Sequence, residues 1–197
     1  MIRAAGLTNI TASQAGNTEY LAATPVTRPL EVKEPQPQTI TFAPIPARTY
    51  GDAAFFPGAT STNPTIPIDY TSSDHAVANM IGGKVVITGT GTVTIRASQP
   101  GNAAYLPADP VEQTFLVQAA TLTITADHQV RQGNIANPVL TVSYVGFAYS
   151  EGPSALQTAP TVSTAADISS APGDYPIVVQ GAAAANYEIV YVNGTMK

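Results

Sequence analysis

The reactive inventory of this 197-residue chain is short: two histidines, thirteen acidic residues, eight basic ones and no cysteine. A hydrolytic triad needs a base held beside its nucleophile. His75 and His128 sit in polar, turn-like settings, Ser73-Asp74-His75 and Asp127-His128. Neighbours on an extended chain point to opposite faces, so neither Asp–His pair is a ready dyad. Both read as solvated loop histidines. With no thiol and two distant imidazoles, the ligand set of a structural zinc site is missing. The carboxylates form no Asp-x-Asp-x-Asp-Gly loop, and Asp52, Asp69 and Asp74 come singly. Loop oxygens at a junction between modules would still suffice for adventitious calcium. Asp52, within Tyr50-Gly51-Asp52, reads as a turn residue whose side chain caps local backbone. Lys84 precedes a Val-Val-Ile strand and reads as an exposed charge guarding a sheet edge. The alternative there is a Lys–Asn isopeptide, which intact mass would reveal. The chain reads as non-enzymatic, with no cofactor and no metal.

Sugar binding favours an exposed aromatic platform. Trp is absent, and most of the nine Tyr fall at core-facing or turn positions. Phe55-Phe56 stands apart, because adjacent aromatics cannot both face inward on a strand. The plain reading puts one ring in the core and the other at a module interface or on a bulge. The sharper reading is an exposed anchor for a partner. Phe55 and Phe56 are therefore the candidate partner-contact residues, and no catalytic, cofactor-binding or metal residue is assigned.

The elements that carry these residues are strands. Hydrophobic residues make up 44% of the chain and charged residues 11%, enough for a core and too little charge for a disordered tail. Ala, Val, Ile and Thr dominate, and β-branched types suit a pleated, half-buried surface. Seventeen Pro and fifteen Gly leave few windows for a helix of ordinary length. The net charge of −5 arises with only eight scattered basic residues. A nucleic-acid or anionic-lipid partner needs a basic face, so neither is expected. No apolar run approaches the roughly 20 residues that span a bilayer, so membrane insertion is not expected. Met1-Ile2-Arg3-Ala4-Ala5 lacks the apolar centre of a signal peptide, and any export signal is expected outside this sequence.

An internal repeat sets the organisation. Gly6 to Val32 (GLTNITASQAGNTEYLAATPVTRPLEV) and Gly91 to Val117 (GTVTIRASQPGNAAYLPADPVEQTFLV) align without a gap at an offset of 85, with 13 of 27 positions identical. Three segments follow. Residues 1–32 are expected to be the carboxyl-terminal strand pair of a truncated repeat, 33–117 a complete repeat, and 118–197 a third module of similar size. Lys33-Glu34-Pro35-Gln36-Pro37-Gln38 has linker character. The boundary at Gln118-Ala119-Ala120 is shorter, so the second and third modules should sit close together.

Within the complete repeat the period is two: Ile40 and Phe42, Val93, Ile95 and Ala97, then Val111, Phe115 and Val117 each alternate with polar residues. Leu122, Ile124 and Ala126 begin the same pattern in the third module, where Leu140, Val142, Tyr144, Tyr187, Ile189 and Tyr191 continue it. About seven short strands in about 85 residues, with regular Gly/Pro corners, predict an immunoglobulin-like sandwich. The fold class is all-β, as tandem immunoglobulin-like β-sandwich modules. Ile177 to Tyr187 repeats the ten-residue separation of Ile95 to Tyr105. That predicts one strand-loop-Tyr device in both modules, each ring plugging the end of its core.

Ile40-Thr41-Phe42, Thr49-Tyr50-Gly51-Asp52, Tyr70-Thr71-Ser72-Ser73-Asp74, Val77-Ala78, Gly91-Thr92-Val93-Thr94-Ile95 and Ala-Ser-Gln-x-Gly-Asn-x-x-Tyr carry a resemblance. Residues 38–117 resemble bacterial immunoglobulin-like (Big-type) repeats of long surface and adhesin-like proteins, especially of Bacteroidota. The Tyr-Thr-Ser-Ser-Asp to Gly-Thr stretch is also similar to the stalk domains of invasin and intimin. Residues 120–197 resemble the MBG domain, through Asn137-Pro138, Tyr144-Val145-Gly146-Phe147, Glu151-Gly152, Pro172-Gly173-x-Tyr175, Asn186-Tyr187 and Tyr191-Val192-Asn193-Gly194-Thr195. That pattern has Tyr-Gly-Asp near its start where this chain has Gln132-Gly133-Asn134, so a looser opening turn is expected.

The resemblance implies an extracellular or cell-surface setting and a stalk or spacer role in adhesion. An adhesion module recognising a glycan or protein through loops or a strand edge is the second reading, and an accessory domain of a secreted enzyme the third. Expected partners are neighbouring modules of the same polypeptide, with a glycan or protein ligand under the second reading. A lone hairpin cannot bury its own apolar face. Residues 1–32 should therefore dock on the next module or self-associate with another chain.

Overall fold

The computed structural model describes residues 4–197; Met1, Ile2 and Arg3 of the expected 1–32 strand pair lie outside the described residues. Strands hold 43% of the chain. Among the described residues there is no α-helix, only a 3-10 turn at Pro153–Ala155. The β-branched composition and the dense Gly/Pro punctuation leave no other regular structure.

The first segment forms β1 (Gly6–Ala12) and β2 (Val26–Val32). The next forms β3 (Ile40–Thr41), β4 (Arg48–Thr49), β5 (Thr60–Ser61), β6 (Asp69–Ser72), β7 (Ala78–Ile81), β8 (Lys84–Ile87), β9 (Gly91–Ser98) and β10 (Val111–Gln118). The last forms β11 (Ala120–Ala126), β12 (Val142–Val145), β13 (Thr161–Thr164), β14 (Tyr175–Gln180), β15 (Tyr187–Val192) and β16 (Gly194–Met196).

Two compact units emerge. One gathers Met1–Thr41, Thr60–Asp69 and Ser98–Pro110; the other gathers Phe42–Ala59, Tyr70–Ala97 and Val111–Lys197. The division runs through residues 33–117, which contribute to both.

In the first unit β1 and β2 pair antiparallel along their whole length, from Gly6 opposite Val32 to Ala12 opposite Val26. They form a sheet of two strands only. β3 pairs with β5. This unit buries amides as well as hydrocarbon: Gln38, Asn63 and Gln99 are all nearly inaccessible. The Gln99 amide nitrogen donates to the carbonyls of Asn63 (2.8 Å) and Ile66 (2.5 Å), and its oxygen accepts from Ser61 Oγ at 2.5 Å. Asn63 Nδ2 donates to Gln38 Oε1 at 3.0 Å, and Gln38 Nε2 to the Pro100 carbonyl at 2.9 Å. Burial of so many polar atoms is tolerable because each amide has partners.

In the second unit, β4, β10, β9 and β6 form a four-stranded sheet, and β7 and β8 form a hairpin across Gly82-Gly83. Both glycines take positive φ, 58° and 77°, which a tight hairpin turn of this kind requires. The β10 register on β9 runs from Val111 opposite Ala97 to Val117 opposite Gly91. The expected alternation holds: Val93, Ile95, Ala97, Phe115 and Val117 are buried, while Thr92 and Arg96 are exposed. After β10, Ala119 alone separates it from β11.

Residues 120–196 build two three-stranded sheets, β12-β11-β15 and β13-β14-β16. β11 and β14 pack against each other, burying Leu122, Ile124 and Ala126 from one and Ile177 and Val179 from the other. Within the first of these sheets β11 runs antiparallel to β12 and parallel to β15. Tyr191, expected on the inner face, is 38% exposed, and its hydroxyl donates to the Ala182 carbonyl instead.

Candidate functional site

In the second unit a cluster of aromatic rings surrounds Glu151. Tyr50 follows β4, Tyr187 opens β15, and Tyr149 and Glu151 lie in the loop after β12. Tyr50 Oη donates to Glu151 Oε1 at 2.8 Å, and Tyr187 Oη donates to Glu151 Oε2. The Ala148 N–H in turn donates to Tyr187 Oη at 2.9 Å. Tyr149 Oη reaches the carbonyls of Asp52 and Ile87, each at 3.2 Å. The rings meet edge to face: Tyr50 on Tyr149 (5.2 Å), Tyr50 on Tyr187 (5.6 Å) and Phe147 on Tyr187 (5.7 Å). Such pairs contribute about 0.5–1.5 kcal/mol beyond their buried area.

Local backbone is bent to present these groups. Tyr149 and Ser150 hold φ of 49° and 61°, left-handed conformations that cost about 1–3 kcal/mol each for ordinary residues. Gly146, at φ 114°, lies so close to β11 that a Cβ there would collide with the Thr121 carbonyl. Gly51, at φ 102°, leaves room for the Ala148 methyl. Asn186 adds a polar clip, its Oδ1 accepting the Thr90 N–H at 3.1 Å. Tyr50 and Thr90 thus meet Tyr149, Glu151, Asn186 and Tyr187 within the second unit.

The electrostatics are those of a carboxylate held by phenols. Burial, then the bond to Glu151, pushes the Tyr187 hydroxyl up to about 12. Tyr50 is raised for the same two reasons, and Tyr149 is raised mainly by burial. These phenols stay protonated and donate. The cluster ties the loop after β12 to the end of β4 and the start of β15.

The residues singled out from sequence lie elsewhere. Phe55 is half-buried, its ring edge-on to Phe115 at 6.1 Å and under the Arg48 guanidinium at 4.2 Å. Phe56 is 68% exposed, with Lys84 Nζ 5.0 Å from its ring centroid. One ring faces in and the other out, as adjacent strand positions require. Asp52 accepts the Thr49 N–H through its carboxylate at 3.0 Å, the capping expected of it. His75 is exposed, and His128 is exposed with Nδ1 accepting the Thr195 N–H at 3.0 Å. Among the described residues no three His, Cys, Asp or Glu side chains converge as metal ligands.

Two expectations on loops meet the structure differently. Tyr105 and Tyr187 are not one device. Tyr105 is half-buried in the β9–β10 connection, where Asn102 Oδ1 caps its N–H at 3.0 Å. Tyr187 starts a strand and uses its hydroxyl. At Gln132-Gly133-Asn134 all three residues are exposed and Asn134 takes φ 62°.

Glu151 enters the sequence reading only as part of the MBG-like pattern and without a role, because it is one of thirteen acidic residues and sits between Ser150 and Gly152 in a loop. The available signal was the aromatic density of Tyr144, Phe147 and Tyr149 just before it.

These features define a class: an all-β protein whose carboxyl-terminal portion is a two-layered strand module with a tyrosine-rich corner. Residues 122–197 match the family model of the MBG domain (YGX type), a repeat-type, non-catalytic domain of surface proteins. No curated protein matches the chain.

Proposed function

We propose that the chain is a non-catalytic repeat segment of a large secreted or cell-surface bacterial protein, working as a stalk or spacer in adhesion. In this reading residues 33–117 are an immunoglobulin-like sandwich of the Big type, 118–197 an MBG-type sandwich, and 1–32 the strand pair of a further repeat. The single observation that carries it is the Tyr50–Glu151–Tyr187 bridge. A stiff spacer needs successive modules to keep their angle, and this bridge couples Tyr50 of one segment to Glu151 and Tyr187 of the next. The MBG match at 122–197 supports the same reading.

Spin labels at Lys84→Cys and Ile168→Cys, both at exposed sites, test it. A stiff spacer gives a narrow inter-label distance distribution that broadens in Glu151→Ala. A distribution already broad in the parent chain would sink the reading. A second reading, adhesion to a glycan or protein, is favoured by one observation, the exposed Phe56 ring beside the Lys84 ammonium. Retention of this chain on a glycan array, abolished by Phe56→Ala, would move the assignment to it.

A further inference from the structure

The β1–β2 hairpin carries an apolar face that no other strand among the described residues covers. Its fold matches β9–β10 in detail at the same offset of 85. Gly6 opposes Val32 as Gly91 opposes Val117. The Asn17 N–H donates to the Tyr20 carbonyl and that of Asn102 to Tyr105, each at 2.8 Å; Ala23 reaches Gln14 and Ala108 reaches Gln99, each at 3.1 Å. The surroundings differ. Ile95 is 0% exposed and its equivalent Ile10 is 58% exposed. Ala97 and Gln99 are buried, whereas Ala12 and Gln14 face solvent. Ile10, Ala12, Val26, Arg28, Pro29 and Leu30 line an open depression of about 310 Å³ on this face.

The second copy shows what such a hairpin takes. Phe55 packs on Phe115, the Phe42 carbonyl receives Gln113 Nε2 at 2.7 Å, and Ser61, Asn63 and Ile66 satisfy Gln99. All of these partners belong to residues 33–90. We propose that the open face of β1–β2 is a docking surface for a polypeptide segment of the same chemistry as residues 33–90. That segment would be apolar strands ending in a Ser/Asn-lined set of carbonyls for Gln14, supplied from the amino-terminal side of Gly6. A lipid or glycan would cover Ile10 and Leu30 but leave Gln14 without the carbonyls its counterpart uses. A second copy of this chain is disfavoured. Its residues 33–90 already hold β9–β10 on the same polypeptide, at an effective concentration that an incoming chain does not match, and Leu30 is a smaller plug than Phe115. The inference rests on reading residues 1–32 as the strand pair of a further repeat, and not on the spacer role.

The test joins residues 33–90 directly ahead of Gly6, giving 33–90 followed by 6–197. Methyl signals of Ile10 and Leu30 are read with a soluble paramagnetic probe, with Ile95 as the internal buried reference. In the parent chain the probe bleaches Ile10. In the extended chain Ile10 and Leu30 fall to the shielding of Ile95, and Ile10→Asp restores the bleaching of Leu30. Continued bleaching of Ile10 in the extended chain overturns the proposal, whether the added segment folds elsewhere or stays unfolded. Shielding of Ile10 in the unextended chain, rising with concentration together with a dimeric sedimentation coefficient, overturns it in favour of a second copy.

Discussion

The two hairpins, β1–β2 and β9–β10, share register, loop bonds and half their residues, yet one face is open and the other sealed. What is common to both is set locally. Asn17 Oδ1 accepts the N–H groups of Glu19 and Tyr20 and Asn102 Oδ1 those of Ala104 and Tyr105, and a Cβ on Gly16 or Gly101 would strike the carbonyl of Tyr20 or Tyr105. What differs is set at long range: Ile95 is buried and Gln99 bonds Ser61, Asn63 and Ile66, whereas among the described residues Ile10 and Gln14 stay exposed. The lesson is that hairpin geometry here comes from turn chemistry and alternation, whereas its contribution to stability comes from the strands that cover it.

That contrast can be broken by paired substitutions. Ile95→Ala should cost about 2–5 kcal/mol, the range for emptying a packed core site, and Ile10→Ala less than about 0.5 kcal/mol, as at open surface sites. Urea unfolding of both variants decides it, and equal losses would mean that the β1–β2 face is covered in solution. Gln99→Ala strands two carbonyls and the Ser61 hydroxyl, at about 1–3 kcal/mol; Gln14→Ala should be silent in the same experiment.

Tyrosines extend the comparison. Tyr20 in the first hairpin is 72% exposed and Tyr187 is buried against Glu151. The folded protein holds the Tyr187 phenol at about 12 against an ordinary 10.0, so it favours the protonated ring. Its contribution is therefore complete below about pH 10 and is lost as pH rises towards 12. Thermal melting should show an alkaline decline over that window that Tyr187→Phe flattens and Tyr20→Phe leaves intact. The smallest effect is also the most even. Asn17→Ala should raise amide exchange at Glu19 and Tyr20, and Asn102→Ala at Ala104 and Tyr105, to a similar degree, about 0.5–1.5 kcal/mol of local stability. A large asymmetry would show that the loop itself depends on what covers the strands.

Much of this was readable from residue order. The β-class, the hairpin at 6–32 and the burial of Val93, Ile95, Ala97, Leu122 and Ile124 follow from a period of two, which is a local property of the chain. Asp52 as a turn cap and the split of Phe55 from Phe56 follow from the same geometry. Glu151 did not, because its partners Tyr50 and Tyr187 are 101 and 36 residues away and no spacing rule connects them. Nor did the buried amides of Gln38, Asn63 and Gln99: an amide in a sequence rich in Gln and Asn carries no mark of burial until its acceptors are placed. The unequal fates of Tyr105 and Tyr187 teach the same point, since equal spacing placed one in a turn and the other on a strand.

The parallel pairing of β11 with β15 has a mechanical consequence. Six successive residue pairs, from Ala120 with Tyr187 to Thr125 with Val192, join these strands side by side. Tension applied between the start of β11 and the far end of β15 pulls the two in opposite directions along their length. All the backbone bonds of that ladder are then strained together, instead of opening one after another like a zip. A segment tethered at both ends gains resistance to extension from that geometry alone, before any side chain is counted.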